Sequence, residues 1–248
     1  MNNKKRKRAC LFGLPIDITD INEVKKSLLE SNATQQVITI NPEMITKSYK
    51  NQDLADLIKN ANWVIPDGIG VILALKMIGV YTKRIPGIEL AYELLKEADK
   101  NGLKVALVGA DEDTIQTAKK ELLKDIPNLN IVYLHNGYFN SQQETEILSE
   151  LEKVQPDILL AGLGFPKQEI FIKNFKNFSK GSIMIGVGGS FDVWSKKLKR
   201  APKLFQKWGL EWFYRLLCQP SRFSRIFPAI PMFLLKVPFA YKLNRKEY

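Results

Sequence analysis

The chain has 248 residues, 45% of them hydrophobic, which suits one large globular domain or a domain with an appendage and excludes a polar disordered chain. A single histidine, His135, and two distant cysteines exclude a histidine-rich metal centre and argue against a Ser-His-Asp or Cys-His mechanism. The net charge of +11 sits mostly at the end: from Lys199 onward, eleven basic residues face only Glu211 and Glu247, which points the tail towards an anionic partner.

In chain order, the start MNNKKRKRACLF is basic and lacks an apolar segment long enough for a secretory signal. Cys10 and Cys218 form no CxxC and read as small buried hydrophobes in a reducing cytosol. VITIN (37–41), WVIP (63–66), KVALVGA (104–110), NIVYLHN (130–136), DILLAGLG (157–164) and SIMIGVGG (182–189) read as strands, several of them continuously apolar. Between them, 89–102, 113–125 and 142–155 carry helical periodicity. This alternation predicts an α/β, Rossmann-like fold, a parallel sheet with helices on both faces. From about residue 196 the composition turns aromatic and basic with prolines at 220, 228, 231 and 238, so we divide the chain into an α/β domain (1–195) and a helical C-terminal appendage (196–248). Its longest apolar run, IFPAIPMFLL, is broken by two prolines and falls short of the roughly 20 residues of a membrane span. A peripheral attachment is expected instead.

Four motifs lie at predicted strand ends. In WVIPDGIGV, Asp67 stands where an acid caps a helix beginning near Gly68, and also where α/β folds bind ligands. The glycines of VGA (Gly109 among them), GLG and GVGG complete neither GxGxxG nor a P-loop, but such turns let backbone N–H groups approach a phosphate. Asp111-Glu112-Asp113 imitates a metal-binding DxD; opening a helix, it reads as a capping cluster instead. In GFPKQEIFI, the uncharged Gln168 can donate to and accept from a sugar or pyrimidine, although an isolated PKQE is ordinarily a solvated first helical turn.

Taken together and in this order, VITIN, PDGIGV, NGYF, GLGFPKQE, GGSFD and RAP followed by GLEWFYRL, QP and SRFSR resemble the WecG/TagA/CpsF family of bacterial glycosyltransferases, from about residue 9 to Arg225. The resemblance implies transfer of an N-acetylmannosamine-type sugar from a UDP donor to a polyprenyl-diphosphate-linked N-acetylglucosamine, in teichoic acid or other surface-polysaccharide synthesis. The place implied is the cytoplasmic face of the bacterial membrane, with an anionic membrane surface as partner. It places the general base on Asp67, further active-site residues on Thr39, Asn41 and Gln168, and the appendage arginines on Arg215, Arg222 and Arg225. Gly109, Tyr138 of NGYF, Lys167 and Asp192 of GGSFD join the arginines as candidate substrate- and UDP-binding residues. No metal or other cofactor is expected, since arginine and lysine can stabilise a departing diphosphate. A homo-oligomer is left open. Two positions depart from the family pattern: Ser195-Lys196-Lys197 replaces a glycine-containing stretch, and Glu89 stands where many relatives have Asp. Another UDP-hexose donor is the alternative within the family. A nucleic-acid-binding module is the alternative outside it, but offers no role for Asp67 or PKQE.

Overall fold

The computed structural model describes residues 6–199, 201–202, 205, 214 and 233–238. Along them run β1 (Arg8–Leu11), β2 (Leu14–Asp17), α1 (Ile21–Leu29), β3 (Gln35–Ile40), α2 (Pro42–Tyr49), α3 (Gln52–Lys59), β4 (Trp63–Pro66), α4 (Ile69–Met77), α5 (Gly87–Asn101), β5 (Val105–Gly109), α6 (Glu112–Asp125), β6 (Ile131–His135), α7 (Ser141–Val154), β7 (Ile158–Gly162), α8 (Lys167–Lys176), β8 (Ile183–Gly186) and α9 (Ser190–Trp194). Six strands form one sheet in the order β4-β3-β8-β7-β5-β6, parallel at β3–β8, β8–β7, β7–β5 and β5–β6, with helices packed against it. The expected α/β architecture is therefore present. Its strands begin and end within two or three residues of the predicted runs. The described residues divide into two compact units, one holding 6–20, 39–86 and those beyond 200, the other holding 21–38 and 87–199.

The first unit opens with an unanticipated antiparallel hairpin. Phe12 and Gly13 both have positive φ (55° and 74°), as a two-residue turn between twisted strands requires. Asp17, 1% exposed, accepts from Arg8 Nε at 2.7 Å and from the Val64 N–H at 2.8 Å, so this buried acid is paired and hydrogen-bonded. Cys10 is exposed, contrary to the buried reading, because alternation along β1 turns it outward while Leu11 turns in. The short α2 and α3 were not anticipated either. Each is capped by an asparagine, Asn41 accepting from the Met44 N–H and Asn51 from the Leu54 N–H.

Helical residues 233–238 belong to this unit. Phe233 and Val237, four apart and therefore on one helical face, are 2% and 0% exposed, while Leu235 is 71% exposed. The Phe233 ring lies 5.3 Å from that of Phe12, which meets Tyr49 edge-on at 5.6 Å. The basic, aromatic tail thus places two of its apolar side chains, Phe233 and Val237, in the protein's own core.

In the second unit β5 and β8 are buried throughout, as is β7 up to its half-buried last residue, whereas β6, at the sheet edge, is half-buried along its whole length. Phe171 and Phe175 of α8 pack with Ile147 and Leu151 of α7 over Leu159 and Met184.

Phe233→Ala should lower unfolding free energy by about 3 kcal/mol, the usual scale for emptying a buried phenylalanine site. Urea denaturation of the full chain checks this, and an unchanged midpoint would show that the segment contributes nothing to the core.

Candidate active site

Within the first unit, the Ile40–Asn41 end of β3 meets the Asp67–Gly68 corner after β4, and Thr39 directly precedes Ile40 on β3. The Asp67 N–H donates to the Ile40 carbonyl at 3.0 Å, and the Ile85 N–H donates to the Pro66 carbonyl at 2.9 Å, so the corner is held on both sides. A Cβ on Gly68 would stand 2.8 Å from Pro42 Cδ and 3.5 Å from Asn41 Cβ, so the PDG turn needs its glycine to lie against the start of α2. The Asn41 side chain caps α2 through Met44 N at 3.0 Å. The N-cap of α4 is Gly68, with no side-chain bond, and not Asp67 as expected. Helical backbone begins one residue later than the PDG pattern suggests. The half-buried Asp67 carboxylate is thus not placed there by duty as the N-cap residue.

The second unit holds Gly109, Tyr138, Lys167, Gln168 and Asp192, on or beside the loops at the C-terminal ends of its parallel strands. Backbone crowding locks these loops. A Cβ on Gly109 would meet Gly162 backbone atoms at 2.6–2.7 Å, and one on Gly162 would meet the Phe191 ring at 2.6 Å. Gly109 therefore has a packing reason to be glycine, apart from any phosphate. In the NGYF turn, Asn136 donates to Glu112 (2.9 Å) and accepts from the Tyr138 N–H (2.9 Å), leaving Tyr138 77% exposed. Asp192 is half-buried on α9, and its carbonyl accepts from Leu198 N–H at 2.9 Å.

PKQE departs from the solvated first turn that an isolated PKQE would ordinarily form. After a cis Phe165–Pro166 bond, Lys167 is exposed, but Gln168 and Glu169 are 5% and 1% exposed. The signal was in the periodicity: 168 and 169 lie three or four residues before the buried Phe171 and Ile172, on the same helical face. Gln168 Oε1 accepts from the N–H groups of Gly164 and Gly188, both at 3.1 Å, and its Nε2 donates to Glu169 Oε1 at 2.9 Å. Glu169 Oε2 is buried without a hydrogen-bond partner. Burial pushes the Glu169 carboxyl up to about 7, against the opposing bonds from Gln168 and its own backbone N–H. Sequence reasoning did not single out Glu169 as a functional candidate.

Asp111-Glu112-Asp113 behaves as the capping cluster the sequence suggested. Asp111 is the N-cap of α6, accepting from Thr114 N (2.8 Å) and Thr114 Oγ1 (2.6 Å). These bonds, aided by Lys197, hold its carboxyl down at about 2. Lys197 Nζ also lies 2.7 Å from Asp113 Oδ2. It comes from the Ser195–Lys197 stretch that replaces the family's glycine. Lys196 there keeps a positive φ of 62°, glycine's conformation, with its side chain paired to Glu121. Among the described residues no cluster of three or more His, Cys, Asp or Glu could hold a metal ion. Arg215, Arg222 and Arg225 lie outside the described residues.

Because the folded state raises the Glu169 pKa from 4.5 to about 7, the stability it contributes is complete below 4.5 and lost as pH rises through about 7. A shift of that size corresponds to about 3 kcal/mol, whereas the helix N-terminus offers a carboxylate only about 0.3–1 kcal/mol. Glu169→Gln should therefore gain stability on wild type between pH 5 and pH 8, read as a growing difference in thermal midpoint. A constant difference across that range would place the titration elsewhere.

Comparison with known proteins shows the family of the chain. The sequence pattern of the "Glycosyl transferase WecG/TagA/CpsF family" matches residues 9–248, beyond the Arg225 at which the motif resemblance stops. The chain is 34% identical over 242 residues to the N-acetylglucosaminyldiphosphoundecaprenol N-acetyl-beta-D-mannosaminyltransferase of Staphylococcus aureus (strain NCTC 8325 / PS 47), covering 95% of this chain and 94% of that protein. It is 34% identical over 229 residues to the protein of the same description from Bacillus subtilis (strain 168), covering 92% and 88%. With its strand-end loops in place and its match extending over almost its whole length, this chain belongs to the WecG/TagA/CpsF family of glycosyl transferases.

Proposed function

We propose that the protein transfers an N-acetylmannosamine-type sugar from a UDP donor to a polyprenyl-diphosphate-linked N-acetylglucosamine, with inversion, in teichoic-acid-type or related surface-polysaccharide synthesis. The names of its relatives support the acceptor and the sugar. The observation that carries the assignment of chemistry is the corner at Asp67: a half-buried acid at the end of β4, fixed through its backbone N–H to the end of β3 next to Asn41.

The reaction needs one base and one stabilised leaving group. The acceptor hydroxyl oxygen attacks the anomeric carbon from the face opposite UDP, and its proton passes to the Asp67 carboxylate. The bond between the anomeric carbon and the diphosphate oxygen breaks as the new glycosidic bond forms, through an oxocarbenium-like state that inverts the centre. UDP leaves as an anion, so it requires positive charge more than a general acid. Arg215, Arg222 and Arg225 are the residues we assign to that charge, with Lys167 exposed on the loop side of α8. Tyr138, exposed on its turn, suits stacking on the uracil or sugar ring.

A lipid-linked acceptor requires the enzyme to work at a membrane surface. No helix among the described residues is long and apolar enough to cross a membrane. The basic tail supports attachment to anionic head groups, each Lys or Arg worth about 1 kcal/mol near the surface. Exposed Leu73 and Met77 of α4, flanking the exposed Lys76, with Leu235, supply apolar contacts on the same unit. Phe233 and Val237 do not, being buried.

Asp67→Asn should reduce turnover by roughly 10²–10⁴-fold while leaving the fold intact, since the α4 N-cap is Gly68. The measurement is UDP release with a lipid-diphosphate acceptor; wild-type turnover would remove Asp67 from the role of base. We also expect transfer to persist in EDTA, because Asp111 is committed to Thr114 and Lys197. Loss on chelation, restored by Mg²⁺ or Mn²⁺, would reassign the acidic cluster to a metal.

A further inference from the structure

We infer that Glu169 is a positioning residue for the transfer reaction, holding the Gln168 amide in the one orientation that ties the loop after β7 to the loop after β8. The inference rests on the glycosyl-transfer reading above for its functional half.

A glutamine amide has two orientations of nearly equal shape, related by a flip that exchanges oxygen and nitrogen. At Gln168 only one satisfies its surroundings. Two backbone N–H groups, from Gly164 and Gly188, converge on Oε1 at 3.1 Å each. A flip would turn the NH₂ group onto those two donors and leave both N–H groups without an acceptor, at a penalty typical of buried unmade bonds. The two loop donors select this orientation from one side of the amide. Glu169 adds a second constraint from the other side, where Nε2 donates to Glu169 Oε1 at 2.9 Å. A flipped amide would set its oxygen against an ionised carboxylate there, which cannot donate. Glu169 is 1% exposed and its carboxyl has no competing solvent.

The site is built for this contact. A Cβ on Gly186 would stand 2.3 Å from Gln168 Nε2 and 2.9 Å from Glu169 Oε1, so the end of β8 has been kept bare to admit both side chains. Gly164 and Gly188 both have positive φ (77° and 50°), a backbone state glycine adopts without strain, and both turn their N–H groups onto Gln168 Oε1. Glu169 Oε2 makes no bond that would hold the carboxyl for another purpose. An acid that is neutral when protonated fits this position better than a lone buried charge would. An uncharged carbonyl donor-acceptor of the same shape should therefore replace it.

The test uses the full chain with ¹⁵N in its glutamine side chains. In the wild type, the Gln168 NH₂ pair should exchange slowly with solvent, and Glu169→Gln should preserve that protection and keep turnover within threefold. Glu169→Leu should lose the slow exchange and at least tenfold in turnover, because the buried Gln168 NH₂ loses its acceptor. If the leucine variant does not fold, Glu169→Met carries the same expectation. Unchanged NH₂ protection in the apolar variant would overturn the orientation, and wild-type turnover in it would overturn the role in catalysis. If protection responds as expected but the wild type transfers no sugar from any UDP donor, the transfer reading fails and the orientation stands.

Discussion

The close approach of backbones at the C-terminal ends of β5, β7 and β8 is the constraint on which the second unit's candidate site depends. Gly109 lies against the Gly162 backbone, Gly162 lies under the Phe191 ring, and Gly186 leaves space for Gln168 and Glu169. Any side chain at these positions would drive atoms to within 3 Å of one another, so the loops exist in this form only because the strands end in glycine. A parallel sheet sends all its C-terminal ends to one edge, and glycines that serve packing there also leave backbone N–H groups near that edge. The same residues thus satisfy a steric demand and lie at the edge where open α/β sheets bind ligands.

Glu169 shows how two local forces can oppose and be ranked. The first turn of a helix favours a carboxylate, yet only by a fraction of the desolvation that accompanies near-complete burial. Burial wins, and the carboxyl titrates near neutrality. Asp111 has the opposite balance. It is solvent-accessible, it receives two bonds from Thr114 and a cation from Lys197, and it remains ionised well below the usual carboxylate range. Two acids near the beginnings of helices therefore have different chemistry because their depth differs.

The departure from the family pattern at Ser195–Lys197 also has a physical account. Lys196 adopts the left-handed backbone that a glycine would take without strain, and its side chain pairs with Glu121 while Lys197 bridges Asp111 and Asp113. Surface ion pairs of this kind are individually weak. Three of them converging on one short segment can offset the cost of a non-glycine residue in that conformation. The acidic cluster and the lysine pair are read best as one arrangement joining α9 to α6.

The sequence by itself determined the α/β class, the positions of six strands and the helices between 87 and 154, because continuous apolar runs and 3.6-residue periodicity follow directly from burial. It also marked the strand-end motifs, and the order of those motifs carried the family. Only tertiary structure decided what each motif residue does locally. The N-cap of α4 moved from Asp67 to Gly68, since capping depends on the φ/ψ of one residue that composition does not report. The β1–β2 hairpin was hidden because Phe12 occupies a positive-φ position ordinarily signalled by Asn or Gly. PKQE looked solvated because its residues are polar, and it is buried because two of them share a helical face with Phe171 and Ile172. The composition of the tail suited either a membrane surface or packing on the domain, and Phe233 and Val237 are core because Phe233 lies against Phe12, which meets Tyr49. In each case the sequence fixes the residue's chemistry, and long-range packing selects the partner on which that chemistry acts.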